Sequence, residues 1–378
     1  MKLVAFDEVR QKLQPGAELP WNVRTAAGEL LLAKGQIIET EGMLADLLER
    51  AAFFEPPKPA RRQEDEQAVR ESVIAATTLT SNWSALEARL SGLLRSPTDR
   101  NFLQRMQDTL VNVAATAQRH TDELIYLVLR HDHSRLNNYG IAHALHCAAL
   151  CGLIARRLGW SPRESASVMG AALTMNISML DLQGVLAASG SRPTTQERVL
   201  IDEHPLSSAE LLRLAGVNDD DWLQTVEQHH EVPGGGGYPR KIVNPTEMSQ
   251  LLRFIDIFSA KHSPRTGRAP LPAHQAAREL FIQGKGNPLA SVLIKEMGIY
   301  PPGCCVRLAS GEIGIVTRVG ATAKTPIVAA ITNRKGDAMT QPLRRDTAQP
   351  AHAIVETVPH SAIRVHVSVD DLYDRRNS

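Results

Sequence analysis

The chain has 378 residues, with 42 Lys+Arg against 41 Asp+Glu and a formal net charge of +1. Such a balance offers no basic face to a nucleic-acid backbone or an anionic membrane surface, so neither partner is expected. Aromatic residues make up only 4% while Ala and Leu abound, a composition that favours helix packing over a β-sandwich. The four cysteines, Cys147, Cys151, Cys304 and Cys305, form no spaced disulfide framework. No uninterrupted apolar run approaches the ~18 residues of a membrane span. A cytoplasmic protein with no membrane span is therefore expected.

In chain order, residues 1–55 predict a small α+β unit. Asn22-Val23-Arg24 and Leu30-Leu31-Leu32 flank Gly28 as a hairpin, and Thr40 caps a short helix carrying Met43, Leu44, Leu47 and Leu48. Pro56, Pro57 and Pro59 open a linker and helical region over 56–122, a possible dimerisation element. Within it Leu103, Met106, Leu110, Val113 and Ala117 recur at three- and four-residue steps, as expected of a core stripe or a homodimer seam. Residues 123–302 predict a helical domain. Helices are expected over Ala142 to Leu158, Ala166 to Leu182, Thr195 to Asp202, Leu206 to Leu214, after Asp219 to Asp221, over Glu247 to Lys261 and over Ala273 to Gln283. From 303 to 378 short β-type runs separated by Gly, Asn and Asp predict a small β-rich unit, with Ile363 to Val367 as one of its strands.

One stretch, His229-His230-Glu231-Val232-Pro233-Gly234-Gly235-Gly236-Gly237-Tyr238-Pro239, stands out chemically. Successive helical side chains diverge by about 100°, so two adjacent imidazoles converge on one centre only where a helix ends. Four glycines then allow close backbone approach or positive φ, and Pro239 fixes the exit. Three other ligand-type residues lie on apolar helices: His143, His204 before Pro205, and Asp256 within Leu251-Leu252-Arg253-Phe254-Ile255-Asp256-Ile257-Phe258. A buried carboxylate requires a partner, so Asp256 should meet a cation or a donor. Cys147 and Cys151 follow His143 by four and eight residues and can share its helix face; as small buried hydrophobes they need no chemical role. Hydrogen-bonded core histidines are the non-chemical alternative for the whole set.

Together these residues resemble the HD-GYP family, helical metal-dependent phosphohydrolases of the HD superfamily that hydrolyse the bacterial second messenger cyclic di-GMP. The resemblance runs from about Tyr139 to Gly303 and centres on Gly237-Tyr238-Pro239 in its His-His-Glu context. The implied fold is mainly α, an HD-type helical bundle with a small α+β N-terminal unit and a small β-rich C-terminal unit. The implied first metal site uses His143, the family's His-Asp pair and Asp256. The implied second site uses the same Asp with His204, His229 and His230. Aligned here, the pair falls on Met175 and Asn176, the phosphate-binding Lys on Met179, and the Asp of the Gly-Tyr-Pro loop on Gly234.

The resemblance with those losses implies a cyclic di-GMP signalling protein with a degenerate domain and weak or no phosphodiesterase activity. It would act by binding the nucleotide, one divalent metal (Fe, Mn or Zn), or signalling partners through the Gly-Tyr-Pro surface. Asn176 would offer at most a neutral carbonyl oxygen. Gly235, Gly237, Tyr238, Pro239 and Arg265 would line a ligand. The alternative is an active metal-dependent phosphohydrolase with a rearranged site, in which Asp256 or Glu231 serves as general base.

Overall fold

The computed structural model describes residues 79–129 and 138–373, apart from 264, 267, 269–270, 285, 323, 360–362, 364–366 and 368. In the N-terminal part it describes residues 4–5, 13–15, 19, 21, 23–26, 30–32, 36–38, 40–50 and 53–54. The proline-rich linker at 56–59 and most of the expected strand at 363–367 lie outside the described residues. The chain divides into two compact units, Met1–Ile74 and Ala75–Ser378.

In the first unit, β1 (Val4–Ala5), β2 (Val23–Arg24), β3 (Leu30–Leu32) and β4 (Phe53–Phe54) form a sheet of order β1-β4-β2-β3, beside α1 (Glu41–Arg50). β2 and β3 pair antiparallel, as the Gly28 hairpin predicts. Thr40 Oγ1 accepts the Met43 amide at 3.1 Å and starts α1. Leu19, Val23, Ile38 and Leu47 form the core of this unit.

The second unit is mainly helical. Residues 79–94 are helical, followed by α2 (Phe102–Arg119), α3 (Thr121–Leu129), α4 (Tyr139–Leu158), α5 (Pro162–Thr174), α6 (Leu180–Ser189), α7 (Thr195–Leu214), α8 (Asp220–Gln228), α9 (Glu247–His262), α10 (Ala273–Gly284) and α11 (Pro288–Met297). Local chemistry starts the helices. Ser161 and Thr194 form capping boxes with Glu164 and Glu197, and the Asp219, Thr246 and Asn287 side chains cap α8, α9 and α11. The helix α11 was not expected from its sequence pattern. Its Asn-Pro start reads as a turn until Pro288 is seen to occupy the first helical position.

The hub is α4, buried over nearly its whole circumference from Tyr139 to Ala155 and packed against α2, α3, α5, α6, α9 and α11. It and residues Pro162–Ser189 are long and apolar enough to cross a membrane, but both are mostly buried inside the protein. The stripe Met106, Leu110, Val113 and Ala117 also turns inward, so it is core. One hydrophobic core runs from Leu79 through the helices to Cys305, Ile315, Ala329 and Ile331, without a break at residues 122 or 302. The sheet has order β8-β7-β6-β5-β9, built from β5 (Cys305–Leu308), β6 (Ile313–Arg318), β7 (Ile327–Thr332), β8 (Ala338–Asp346) and β9 (Ile354–Thr357).

Two helix boundaries differ from the sequence expectation, and both lie at the site. The segment expected as one helix over 166–182 is interrupted: α5 stops at Thr174, and a 3-10 turn over Ile177–Met179 precedes α6. Conversely α7 continues through Pro205, where two helices were expected.

Candidate metal centre

The continuation of α7 past Pro205 and the placement of His204 have a common cause. Proline has no N–H, so the Ile201 carbonyl, which would have accepted from residue 205, loses its helical donor. His204 Nδ1 takes that carbonyl at 2.5 Å. The same arrangement recurs at the end of α8. Helix C-termini leave carbonyls without intrahelical donors, and His229 Nδ1 donates to Val226 O at 2.6 Å. Because a carbonyl only accepts, each ring must carry its proton on Nδ1. Each Nε2 is then an unprotonated acceptor, and the two lie 3.1 Å apart.

His230, two residues beyond the end of α8, completes the group. Its ring centroid lies 4.1 Å from that of His229 and 5.1 Å from that of His204, and each of the three rings offers a nitrogen to one cluster. Burial, then its neighbour His229, pushes His204 down to about 3. Burial also lowers His229, and burial followed by His229 holds His230 well below its ordinary value. All three are neutral near pH 7. Facing lone pairs at 3.1 Å repel unless a cation lies between them, so this donor set fits a divalent metal.

Asp256 on α9 meets His143 on α4, with Oδ1 at 2.8 Å from Nε2. Burial opposes the Asp256 charge, but the hydrogen bond from His143 and the nearby imidazoles outweigh it and hold the carboxyl well below the usual carboxylate range. The other ring nitrogen of His143 faces Ser259 Oγ at 3.4 Å. Cys147, one turn along α4, brings its Sγ to 3.6 Å from the same His143 Nε2. His143, Cys147 and Asp256 thus form a second group of ligand atoms. Burial, followed by the Asp256 charge, raises the Cys147 thiol well above its ordinary value.

The glycine loop is held by Glu231, which is fully buried. Its two carboxylate oxygens accept the amides of Arg240 at 2.8 Å and Ile242 at 3.0 Å. That corrects one sequence expectation. The Glu231 carboxylate is committed to the loop backbone and is not poised as a general base. Gly234 and Gly235 have positive φ, 88° and 78°, whereas Gly237 is required for space. A Cβ there would lie 2.4 Å from Glu231 Cα and 2.5 Å from His230 O. The result lays Tyr238 over His230, with ring centroids 4.6 Å apart and planes at 22°. Tyr238-Pro239 is a cis peptide.

Arg265 lies beside this second group. Its Nη2 donates to Tyr139 Oη at 2.7 Å, its guanidinium stands 4.8 Å over the Tyr139 ring, and that ring stacks on His143 at 5.5 Å. The Arg265 Nε is buried with no hydrogen-bond partner. It makes no ion pair with a described residue.

The HD domain family matches residues 106–285. Cyclic di-GMP phosphodiesterase PA4108 of Pseudomonas aeruginosa is 27% identical over 217 residues, covering 55% of this chain and 51% of its own. The chain therefore spans about half the length of this curated relative. This chain carries an HD domain. A solved structure, Bd1817, a HDG"Y"P protein from Bdellovibrio bacteriovorus, aligns with TM-score 0.47 and 14% identity over 77% of this chain and 96% of its own.

HD domains bind divalent metals, and this domain has two groups of ligand atoms suited to one. The positions aligned with the His-Asp pair do not supply such atoms. Met175 is completely buried as core at the end of α5. Asn176 is buried at the start of the 3-10 turn, where its side chain makes no capping bond. Met179 lines a cleft of about 510 Å³ between that turn and α7, with Arg95, Ser178, Asp181, Glu203 and Ser207. Arg95 and Asp181 pair across it at 2.5 Å. Sequence reasoning passed over Cys147 as a ligand. Its signal was the four-residue step from His143, which also fits an ordinary core cysteine.

Proposed function

We propose that this protein is a degenerate HD-GYP domain that binds a divalent metal through His204, His229 and His230. It takes part in cyclic di-GMP signalling by binding, with little or no hydrolysis. The observation that carries this reading is the contrast between one intact trihistidine cluster and the substitution of Met175 and Asn176 for the bridging pair. Two-metal hydrolysis needs a bridging ligand so that one ion activates the nucleophile while both neutralise phosphoryl charge. Asn176 is neutral and supplies no bridging carboxylate. The metal, when bound, supplies Lewis acidity. This chain's residues orient the imidazoles, close the glycine loop and offer the unpaired Arg265 Nε to an anionic oxygen.

Cyclic di-GMP or a related nucleotide is the proposed ligand, approaching Tyr238, Pro239, Gly235, Gly237 and Arg265. The cleft beside Met179 has the volume of ligand pockets, which run about 300–1,000 Å³. A cytoplasmic setting, homodimerisation and signalling partners at the Gly-Tyr-Pro surface belong to the same proposal. Purified protein supplied with Mn²⁺ or Fe²⁺ should bind cyclic di-GMP in calorimetry without turning it over. Robust metal-dependent turnover overturns the reading.

A second reading, an active phosphohydrolase with a rearranged site, is favoured by one observation: a buried carboxylate–imidazole pair, Asp256 with His143 at 2.8 Å, is retained beside the trihistidine cluster. It requires a measurable turnover that His229→Ala abolishes. Equal rates in both proteins eliminate it.

A further inference from the structure

We propose that Cys147 acts with His143 and Asp256 as a ligand set for a second cation. This position would favour a borderline-soft ion, Zn²⁺ or Co²⁺, over Mg²⁺ or Mn²⁺. The inference deepens the reading of this cluster as a metal centre and rests on it. The loss of the His-Asp pair leaves His143 and Asp256 as two ligands, too few to hold a cation firmly. Cys147 restores the count from within α4, and with a different chemistry.

The geometry carries the assignment. His143 Nε2 faces both partners, Asp256 Oδ1 at 2.8 Å and Cys147 Sγ at 3.6 Å. Zinc ligand bonds of about 2.3 Å to sulfur and about 2.0 Å to nitrogen, at a tetrahedral angle, separate S from N by about 3.5 Å, near the spacing found, while the hydrogen-bonded N and O would part to about 3.3 Å on binding. The opposite nitrogen, Nδ1, faces Ser259 Oγ, the outer partner that metal-bound imidazoles ordinarily have. A hydroxyl both donates and accepts, so Ser259 serves the Nε2–H tautomer that donates to Asp256 and equally the Nδ1–H tautomer that a metal on Nε2 requires. All three ligand side chains are largely buried: His143 is 1% exposed, Asp256 16% and Cys147 0%.

The ligand types set the preference. Thiolate and imidazole select zinc-like ions, whereas magnesium and manganese favour oxygen ligands. Binding would release the thiol proton to solvent as the Cys147 S–M bond forms. Cys151 is an internal control. It lies one turn further along α4, is equally buried, and belongs to neither group of ligand atoms.

The test uses the full chain loaded with Co²⁺, whose d–d bands report bound metal and whose near-ultraviolet thiolate charge-transfer band reports sulfur ligation. The charge-transfer band should appear in the wild type and in Cys151→Ala. It should vanish in Cys147→Ala, which should also bind about one equivalent less Zn²⁺, while d–d bands from the trihistidine cluster persist. Identical spectra in wild type and Cys147→Ala overturn the inference and leave the trihistidine reading standing. Absence of all cobalt bands from the wild type overturns both. X-ray absorption at the zinc edge of the unmodified protein needs no variant. A sulfur shell at about 2.3 Å is expected, and a shell of N and O alone overturns the assignment.

Discussion

His204 and His229 face each other Nε2 to Nε2 at 3.1 Å, each with its Nδ1 proton committed to a helix carbonyl, Ile201 O or Val226 O. Two backbone irregularities, a proline inside α7 and the end of α8, thus decide which ring atoms face one another. Removal of one imidazole of this pair should be decisive for metal binding. Losses in the outer shell of metal sites cost about 10–100-fold in affinity, and His229→Ala, which removes a ligand, should exceed that range. Metal content after dialysis against a weak chelator, compared with wild type, measures it; unchanged content refutes the trihistidine assignment.

Pro205→Ala should separate stability from metal affinity. The substitution restores an amide that competes with His204 Nδ1 for Ile201 O, and it removes a residue that helix interiors disfavour. The variant should melt at the same or a higher temperature while binding metal about 10-fold more weakly, the order of an outer-shell loss. A variant that binds as tightly as wild type would show that the carbonyl is not what orients the ring.

In the glycine loop, Gly237 and Gly236 make a matched pair. A methyl at 237 meets backbone at 2.4 Å, whereas at 236 its nearest neighbours are Val232 side-chain atoms at 3.9 Å. Gly237→Ala should therefore destabilise by about 1–3 kcal/mol, the usual cost of overpacking, and Gly236→Ala by much less. Urea unfolding of the two variants distinguishes them.

The acid limb of stability should depend on His146. This ring is buried and stacked on Trp83, with centroids 6.2 Å apart. Burial, then the charges of His143 and His262, pushes its pKa down to about 3 from an ordinary value of 6.5. Between those values the unfolded chain binds the proton and the folded chain does not. The stabilisation is complete above pH 6.5 and is lost progressively as the pH falls towards 3, with a slope of at most about 1.4 kcal/mol per pH unit from this group. His146→Leu should flatten the dependence of unfolding free energy on pH across that window; an unchanged slope assigns the acid sensitivity elsewhere.

Much of this architecture was legible because its signals are local. Capping residues, the Gly28 hairpin and the helical spacing of Met106, Leu110 and Val113 each act within a turn or two. The ligand-type residues His143, His204, His229, His230 and Asp256 were legible as ionisable interruptions of apolar helices. Other features depend on which atoms folding brings together. Pro205 reads as a helix end until a side chain is seen to use the carbonyl that it leaves unpaired. Glu231 reads as a base beside two histidines, but amides 9 and 11 residues later claim both of its oxygens. The direction of Arg265 towards Tyr139 spans 126 residues of sequence, beyond the reach of any periodic pattern.

The near-total burial of α4 has a consequence for how this protein tolerates change. A helix with one wet side can absorb substitutions there without disturbing what its dry side holds. Along most of α4 there is no such side, and His143 and Cys147 sit on a helix packed against six others. A change of size at its buried positions between Ile141 and Ile154 presses on a partner helix, and movement there would shift the ligands too. Mutational drift in α4 would therefore register first as altered metal affinity and only later as loss of the fold.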